Sequence, residues 1–259
     1  MANKLDLKNA PGHQVLAAAG KRALRPGGVA ASEQLFKWAN FQPGETVLEL
    51  AASFGYSAMA LAKRYGVRVL GVEKNPDSVA RAQANIAAAG LSEKVHVIEG
   101  DIFHLNQISE PFDYVLAEAI LTMQADAGKA KILTGIADRL KPGGQFLSHE
   151  LRVEGADVGT IRRDLSATIR VNASPLSTEG WVSAVQAAGL TVEHVDSGPM
   201  TLLNPQRIAQ EEGIPTLLTI AWNVLTRPVL RQRILAMRAT FSRHRNNLGY
   251  MVLTARKGA

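Results

Sequence analysis

Several side chains in this sequence are placed to hold a nucleotide-like ligand. The segment ELAASFGYS follows an apolar run, and its small residues Ala51, Ala52, Ser53 and Gly55 let the backbone approach a ligand closely. A helix starting directly afterwards would present its unsatisfied amides to the same ligand. Glu73 ends the next apolar run, 20 positions after Ser53. A carboxylate there can accept both hydroxyl hydrogens of a ribose. Asp101, in the turn EGDIF, could accept from an adenine amino group while Ile102 packs on the ring. Glu49 stands at the end of the first apolar run, beside the small-residue loop. Side chains able to take up a proton follow further along: His104, Glu118, His149 and Glu150. His149 and Glu150 are adjacent, so on a strand they point to opposite faces and at most one meets a substrate.

The elements that must position these groups are legible from the patterning. TVLEL, VRVLGV, KVHVIEG, FDYVLAEA and GQFLSHEL read as five short, nearly continuous apolar strands. Helices alternate with them: Ser57 to Tyr65 stopped by Gly66, an Ala-rich helix opened by Asn75 and Pro76 and stopped by Gly90, and Ala127 to Leu140 ending before the turn KPGG. Apolar strands alternating with helices predict a doubly wound α/β fold, with a parallel sheet covered on both faces. In such sheets ligands bind beyond the carboxyl ends of the strands, where Glu49, Glu73, Asp101 and Glu118 fall.

Around this core of residues 43–151, 176–202 and 248–259, three stretches read as helical cap elements: 1–42, 152–175 and 203–247. The first holds two helical patterns, His13 to Leu24 and Ser32 to Phe41, separated by Pro26 and two glycines. The second carries a helix near Thr160 to Arg170. A helix from Thr178 and the strand TVEHVDSG precede the third, and LGYMVLTARK closes the chain as a strand. With no repeat or low-complexity linker, a single domain is expected.

Five segments in this order and spacing, VLELAASFGYSAMALA, VLGVEKN, VIEGDIFHL, FDYVLAEAIL and LKPGGQFLSHEL, resemble the class I S-adenosylmethionine-dependent methyltransferases, whose fold is Rossmann-like with an antiparallel last strand. The resemblance runs from about Glu45 to Leu151, and LGYMVLTARK fits the family's closing antiparallel strand. It implies S-adenosylmethionine as cofactor. The methionine part would lie against Glu49 and the loop Ala51, Ser53 and Gly55, the ribose on Glu73, and the adenine by Asp101 and Ile102. Glu118 would border both cofactor and acceptor. The family usually has glycines where Ala51 and Ser53 stand, and a Cβ at each predicts less room and ordinary backbone φ values there. A nicotinamide-binding Rossmann domain fits less well, because the GxGxxG fingerprint does not occur.

Methyl transfer to a hydroxyl, amine or carbon acid requires removal of a proton. Glu118, His149 and His104 are the base candidates. The segment after the fourth strand is AEAI and lacks the Asn/Asp-Pro-Pro-aromatic tetrad that orients amines in base methyltransferases, and with no cysteine a covalent 5-methylcytosine route is excluded. The absence of cysteine also excludes disulfides and thiolate metal sites, and no ligand spacing for a metal appears.

The chain has 259 residues and a formal charge of +6, unevenly placed. Gly213 onward holds eight basic residues and no acidic one, leaving the first 212 residues with 21 basic against 23 acidic. Arg227, Arg231, Arg238 and Arg245 fall on one edge of a helical wheel, beside an apolar stripe of Leu230, Ile234, Met237 and Phe241. Such a helix could receive an anionic substrate, RNA phosphate or an acidic membrane surface; a solvated face on a packed helix is the plainer reading. The apolar residues Leu202, Leu203, Ile214, Leu217, Leu218 and Trp222 suggest a partly hydrophobic enclosure. The expected partner is a small-molecule methyl acceptor of the quinone or natural-product type. An RNA methyltransferase and a catalytically silent binding protein are the alternatives, nucleic acid is not favoured, and a homodimer is possible. No signal-peptide pattern opens the chain, and the longest uncharged apolar stretch, Ile214 to Thr226, is short of the roughly 20 residues of a transmembrane helix, so a cytoplasmic protein is expected.

Overall fold

The computed structural model describes residues 6–259. Seven strands form one sheet: β1 (Thr46–Leu50), β2 (Arg68–Glu73), β3 (Val95–Glu99), β4 (Phe112–Glu118), β5 (Leu140–Val153), β6 (Leu190–Pro199) and β7 (Leu248–Lys257). Their order is β3-β2-β1-β4-β5-β7-β6. The first five run parallel, and β7 lies antiparallel between β5 and β6. This is the Rossmann-like methyltransferase arrangement. β1 and β4 sit at the centre, where Val47, Leu48, Val115 and Leu116 are fully buried. The strand order reverses between β1 and β4, so their carboxyl ends open a crevice.

Helices cover both faces: α2 (Gly28–Ala39), α3 (Tyr56–Tyr65) and α4 (Pro76–Ala88) on one, α5 (Asp126–Arg139) and α7 (Thr178–Ala187) on the other. Local chemistry sets the boundaries. Asn75 Oδ1 accepts from the Ser78 amide, with Pro76 in the first turn, and α3 stops at Gly66 with φ 72°. The turn Lys141–Gly144 lies inside the irregular start of β5, where the pairing to β4 shifts register, and does not stand between helix and strand.

The remaining helices are α1 (Gly12–Ala19), α6 (Val158–Ile169), α8 (Pro205–Glu212), α9 (Ile214–Thr226) and α10 (Pro228–Arg243). Val15 and Leu16 of α1 pack with Leu230 and Met237 of α10, and α6 joins α10 through Ile169 and Phe241. α1 ends at Gly20, short of the expected Leu24, leaving residues 21–27 irregular. Arg245 lies beyond the end of α10, and Arg227 caps its start, so the expected arginine edge shrinks to Arg231 and Arg238 on the helix itself. Among the described residues no helix is long and apolar enough to cross a membrane.

Candidate active site

Beyond the carboxyl ends of β1, β2 and β4 lies a cleft of about 620 Å³, within the range of small-molecule sites. Its floor is the loop after β1. Ala51 and Ser53 adopt φ 54° and 50°, followed by Gly55 at 75°. The expectation of ordinary φ at Ala51 and Ser53 is therefore wrong. Hydrogen bonds outweigh the cost of the left-handed conformation: the Ala52 amide donates to Val72 O (3.0 Å), the Ser53 amide to Glu73 Oε2 (2.9 Å) and the Gly55 amide to Ala52 O (2.9 Å). The loop sits tightly on β2, where a Cβ on Gly71 would lie 2.7 Å from the Ala52 methyl.

Glu73 is half-buried at the cleft wall, and its other oxygen accepts from the Asn75 amide (2.9 Å). Each carboxylate oxygen retains a free acceptor position. Asp101 and Ile102 do not line this cleft. Asp101 Oδ1 caps the 3₁₀ segment Ile102–Gln107 through the Phe103 amide (3.0 Å), and Oδ2 pairs with Lys74 (2.8 Å), which holds the carboxyl below its usual range. Ile102 packs against the core on the α5 face.

A buried polar network lies beside the cleft. Glu118, at the end of β4, pairs with Arg25 (2.8 Å) and accepts from the hydroxyls of Ser32 and Ser57. His149 on β5 lies 3.8 Å from the same carboxylate and contacts Ser32 Oγ through Nδ1 (3.1 Å). Its Nε2 accepts from the Gly27 amide (3.0 Å), which assigns the proton to Nδ1, since an amide N–H can only donate. Burial pushes the His149 pKa down. Burial also opposes ionisation of Glu118, but the Arg25 charge, His149 and Ser32 more than offset it and bring the carboxyl to about 2. Glu49 is raised to about 8 by burial and by the Glu118 charge, and its Oε2 has no hydrogen-bond partner. Glu49 thus holds its proton while Glu118 is charged.

Two of the expected bases are thereby engaged. Protonating His149 would forfeit the Gly27 hydrogen bond, and Glu118 is neutralised by Arg25. His104 is exposed on the 3₁₀ segment and lines none of the cavities described here. Glu150, on the opposite face of β5, accepts from the amides of Ile120 (3.2 Å), Leu121 (2.9 Å) and Thr122 (2.9 Å) and from the Thr122 hydroxyl (2.6 Å). Burial pushes its carboxyl up to about 7 against these four donors. Its role is to hold the loop after β4, where Ala119 sits at φ 57°.

Two residues of this site carried no sequence signal. Arg25 lies in an irregular turn remote in sequence from Glu118. His13, in the first turn of α1, lines the cleft and also a second, apolar cavity of about 70 Å³. Leu24, Ala119 and Met123 are likewise shared, and Leu16, Leu165, Ile169, Leu202, Met237 and Phe241 are among the other residues of the apolar chamber. His13 Nδ1 is buried with no hydrogen-bond partner among the described residues. Burial lowers the pKa of this imidazole, with the charge of Glu73 acting in the opposite sense. Of the apolar residues expected to enclose a pocket, Leu202 does so, while Ile214, Leu218 and Trp222 face solvent.

Residues 47–144 match the family described as a methyltransferase domain. Over 250 residues the chain is 36% identical to an uncharacterized protein of Haemophilus influenzae, covering 96% of this chain and 99% of the relative. The chain carries a class I S-adenosylmethionine-dependent methyltransferase domain. This methyltransferase is also 25% identical over 177 residues to Methyltransferase GfsG of Streptomyces halstedii, covering 68% of this chain and 60% of that one. Its fold matches the crystal structure of a putative sarcosine dimethylglycine methyltransferase from Galdieria sulphuraria with TM-score 0.71 at 17% identity, over 89% and 85% of the two chains. S-adenosylmethionine is the cofactor of the family, and the donor set here fits it: spare acceptor positions on Glu73, a left-handed loop beneath the cleft, and the unpartnered Oε2 of Glu49 behind that loop.

Proposed function

We propose that this methyltransferase acts on a small molecule whose apolar part enters the chamber between α1, α6 and α10. The observation that carries the reading is the sharing of His13, Leu24, Ala119 and Met123 between the polar cleft and the apolar chamber. A ligand in one is thereby in contact with the wall of the other. Helices from residues 1–42, 152–175 and 203–247 act as a cap over the strand ends.

S-adenosylmethionine supplies a methyl group already activated on a sulfonium, so the chain's own task is alignment, desolvation and handling of the acceptor's proton. Glu73 would accept from the ribose hydroxyls, and Glu49 with Ala51, Ser53 and Gly55 would border the methionine part. Asp101, in the turn after β3 but outside the cleft lining, could meet the adenine only at the cleft's edge, and Ile102 packs against the core. Glu118 lines the cleft between cofactor and acceptor, and its pairing with Arg25 and the hydroxyls of Ser32 and Ser57 holds it ionised and fixed in place. His13 takes the acceptor's proton: it is neutral near pH 7, it is unencumbered at Nδ1, and it stands at the junction of the two cavities.

Isothermal titration with S-adenosylmethionine, on the native chain and on Glu73→Ala, tests the cofactor half. Binding that Glu73→Ala leaves unchanged overturns the assignment of the cleft. Mass-spectrometric detection of methylated product over a panel of phenols, quinols and amines tests the acceptor half. Turnover on RNA with none on the panel would transfer the reading to RNA methylation, and tight cofactor binding without any turnover to a silent binding protein.

A further inference from the structure

Helix α9 is built inside out. Its inward side carries Thr216, which is buried, and Asn223, whose amide donates to Ala19 O of α1 (3.0 Å). Its outward side carries Ile214, Leu218, Trp222 and Leu225, each 63–66% exposed. At 100° per residue these four fall within an arc of about 80°. On α10, Val229 and Leu235 are also exposed. Water gains nothing from four large apolar side chains in a row, and a contiguous patch of this kind marks a surface that meets something else.

The charges around the patch indicate what it meets. α9 itself contains no ionisable residue, and from Gly213 onward the chain has no acidic residue at all. Arg227 at the turn between α9 and α10, with Arg231 and Arg238 on α10, is exposed, and among the described residues none of the three is in an ion pair. Of the other arginines of α10, Arg233 is buried and Arg243 pairs with Asp164 (3.4 Å). Two copies meeting through this face would bring arginines together with no free carboxylate between them, because Glu211 and Glu212 of α8 are engaged by the Val29 and Ala30 amides and by Lys21. An anionic bilayer supplies the missing negative charge and an apolar layer at once.

We propose that α9 docks the protein on the surface of a membrane rich in anionic lipid, with Ile214, Leu218, Trp222 and Leu225 inserted below the headgroups and Arg227, Arg231 and Arg238 at phosphate level. The helix lies in the interface and does not span it. Its inner side packs on α1, which walls the apolar chamber, so docking sets that chamber beside the bilayer. The docking stands independently of the acceptor's identity.

The test uses the full chain and vesicles of phosphatidylcholine, with or without phosphatidylglycerol. The chain carries its own probe: of its three tryptophans Trp181 is fully buried, Trp38 is half-buried on α2 and stacked on His194, and Trp222 is exposed. Phosphatidylglycerol vesicles should sediment the protein and shift its tryptophan emission to the blue, and Trp222→Phe should abolish the shift while retaining most of the binding. Leu218→Ser with Trp222→Ser should abolish sedimentation at an unchanged thermal midpoint, since both positions are exposed. Arg227→Gln with Arg231→Gln should weaken binding about 30-fold, from about 1 kcal/mol per basic residue at the surface. Failure to bind phosphatidylglycerol vesicles, or binding indifferent to the leucine and tryptophan substitutions, overturns the proposal. So does a concentration-dependent dimer, disrupted by Leu218→Ser, in a chain that ignores vesicles.

Discussion

Replacing Ala51 and Ser53 with glycine should stabilise the protein, although both substitutions remove atoms from a well-ordered loop. The two residues stand at φ 54° and 50°, where an L-residue suffers contact between its Cβ and the following carbonyl. That contact costs about 1–2 kcal/mol per residue. Glycine relieves it but adds freedom to the unfolded chain worth roughly 0.5–1 kcal/mol. The net gain is about 0.5–1 kcal/mol per site, hence about 1–2 kcal/mol for the double variant. For a chain of this size that raises the melting temperature by about 2–8 °C. The hydrogen bond from the residue 53 amide to Glu73 is kept, so the loop should retain its shape. Ala52→Gly is the internal control. Ala52 is buried and does not have positive φ, so the same change there should destabilise. Urea denaturation of the parent, the double variant and Ala52→Gly gives the comparison. A double variant no more stable than the parent would show that the loop is not strained, and would remove the argument that its hydrogen bonds impose the conformation.

Arg25→Ala strands Glu118 as a buried charge and should cost about 3–5 kcal/mol in chemical denaturation, whereas the double variant Arg25→Ala with Glu118→Gln should recover much of it. Glu150→Ala removes the acceptor of three amides and a hydroxyl; a loss of about 3 kcal/mol or more is expected, with proteolytic nicking at residues 119–124 as a local readout. His13 has a folded pKa below its unfolded value of 6.5, so its proton is bound first by the unfolded chain. Stability from this group is complete above that pH and falls as pH drops below it, by up to about 1.4 kcal/mol per pH unit. Glu49 and Glu150, with raised pKa values, act in the opposite sense over the same range, so the quantity to measure is the difference between parent and His13→Gln in urea titrations at several pH values. Parallel stability curves for the two would show that His13 titrates freely and is not buried beside the cleft.

The parallel sheet, the helix boundaries at Asn75 and Gly66, and the positions of Glu49, Glu73 and Glu118 at strand ends were legible in the sequence, because each depends on residues a few positions apart. Periodicity, caps and turn residues act locally, and the order of five such motifs suffices to place the chain in its fold. The same reasoning located the helices of the third insertion while misjudging which side of α9 faces inward. An apolar stripe looks alike whether it meets a core or a membrane. What the tertiary structure alone decided are the contacts between remote segments. Arg25 meets Glu118, the Gly27 amide occupies His149, His13 reaches the junction of two cavities, and Ala51 and Ser53 are held in a conformation their side chains disfavour. Those outcomes depend on desolvation and on hydrogen bonds made across the fold. They set which carboxylate is charged and which imidazole is free, and neither property belongs to any segment by itself.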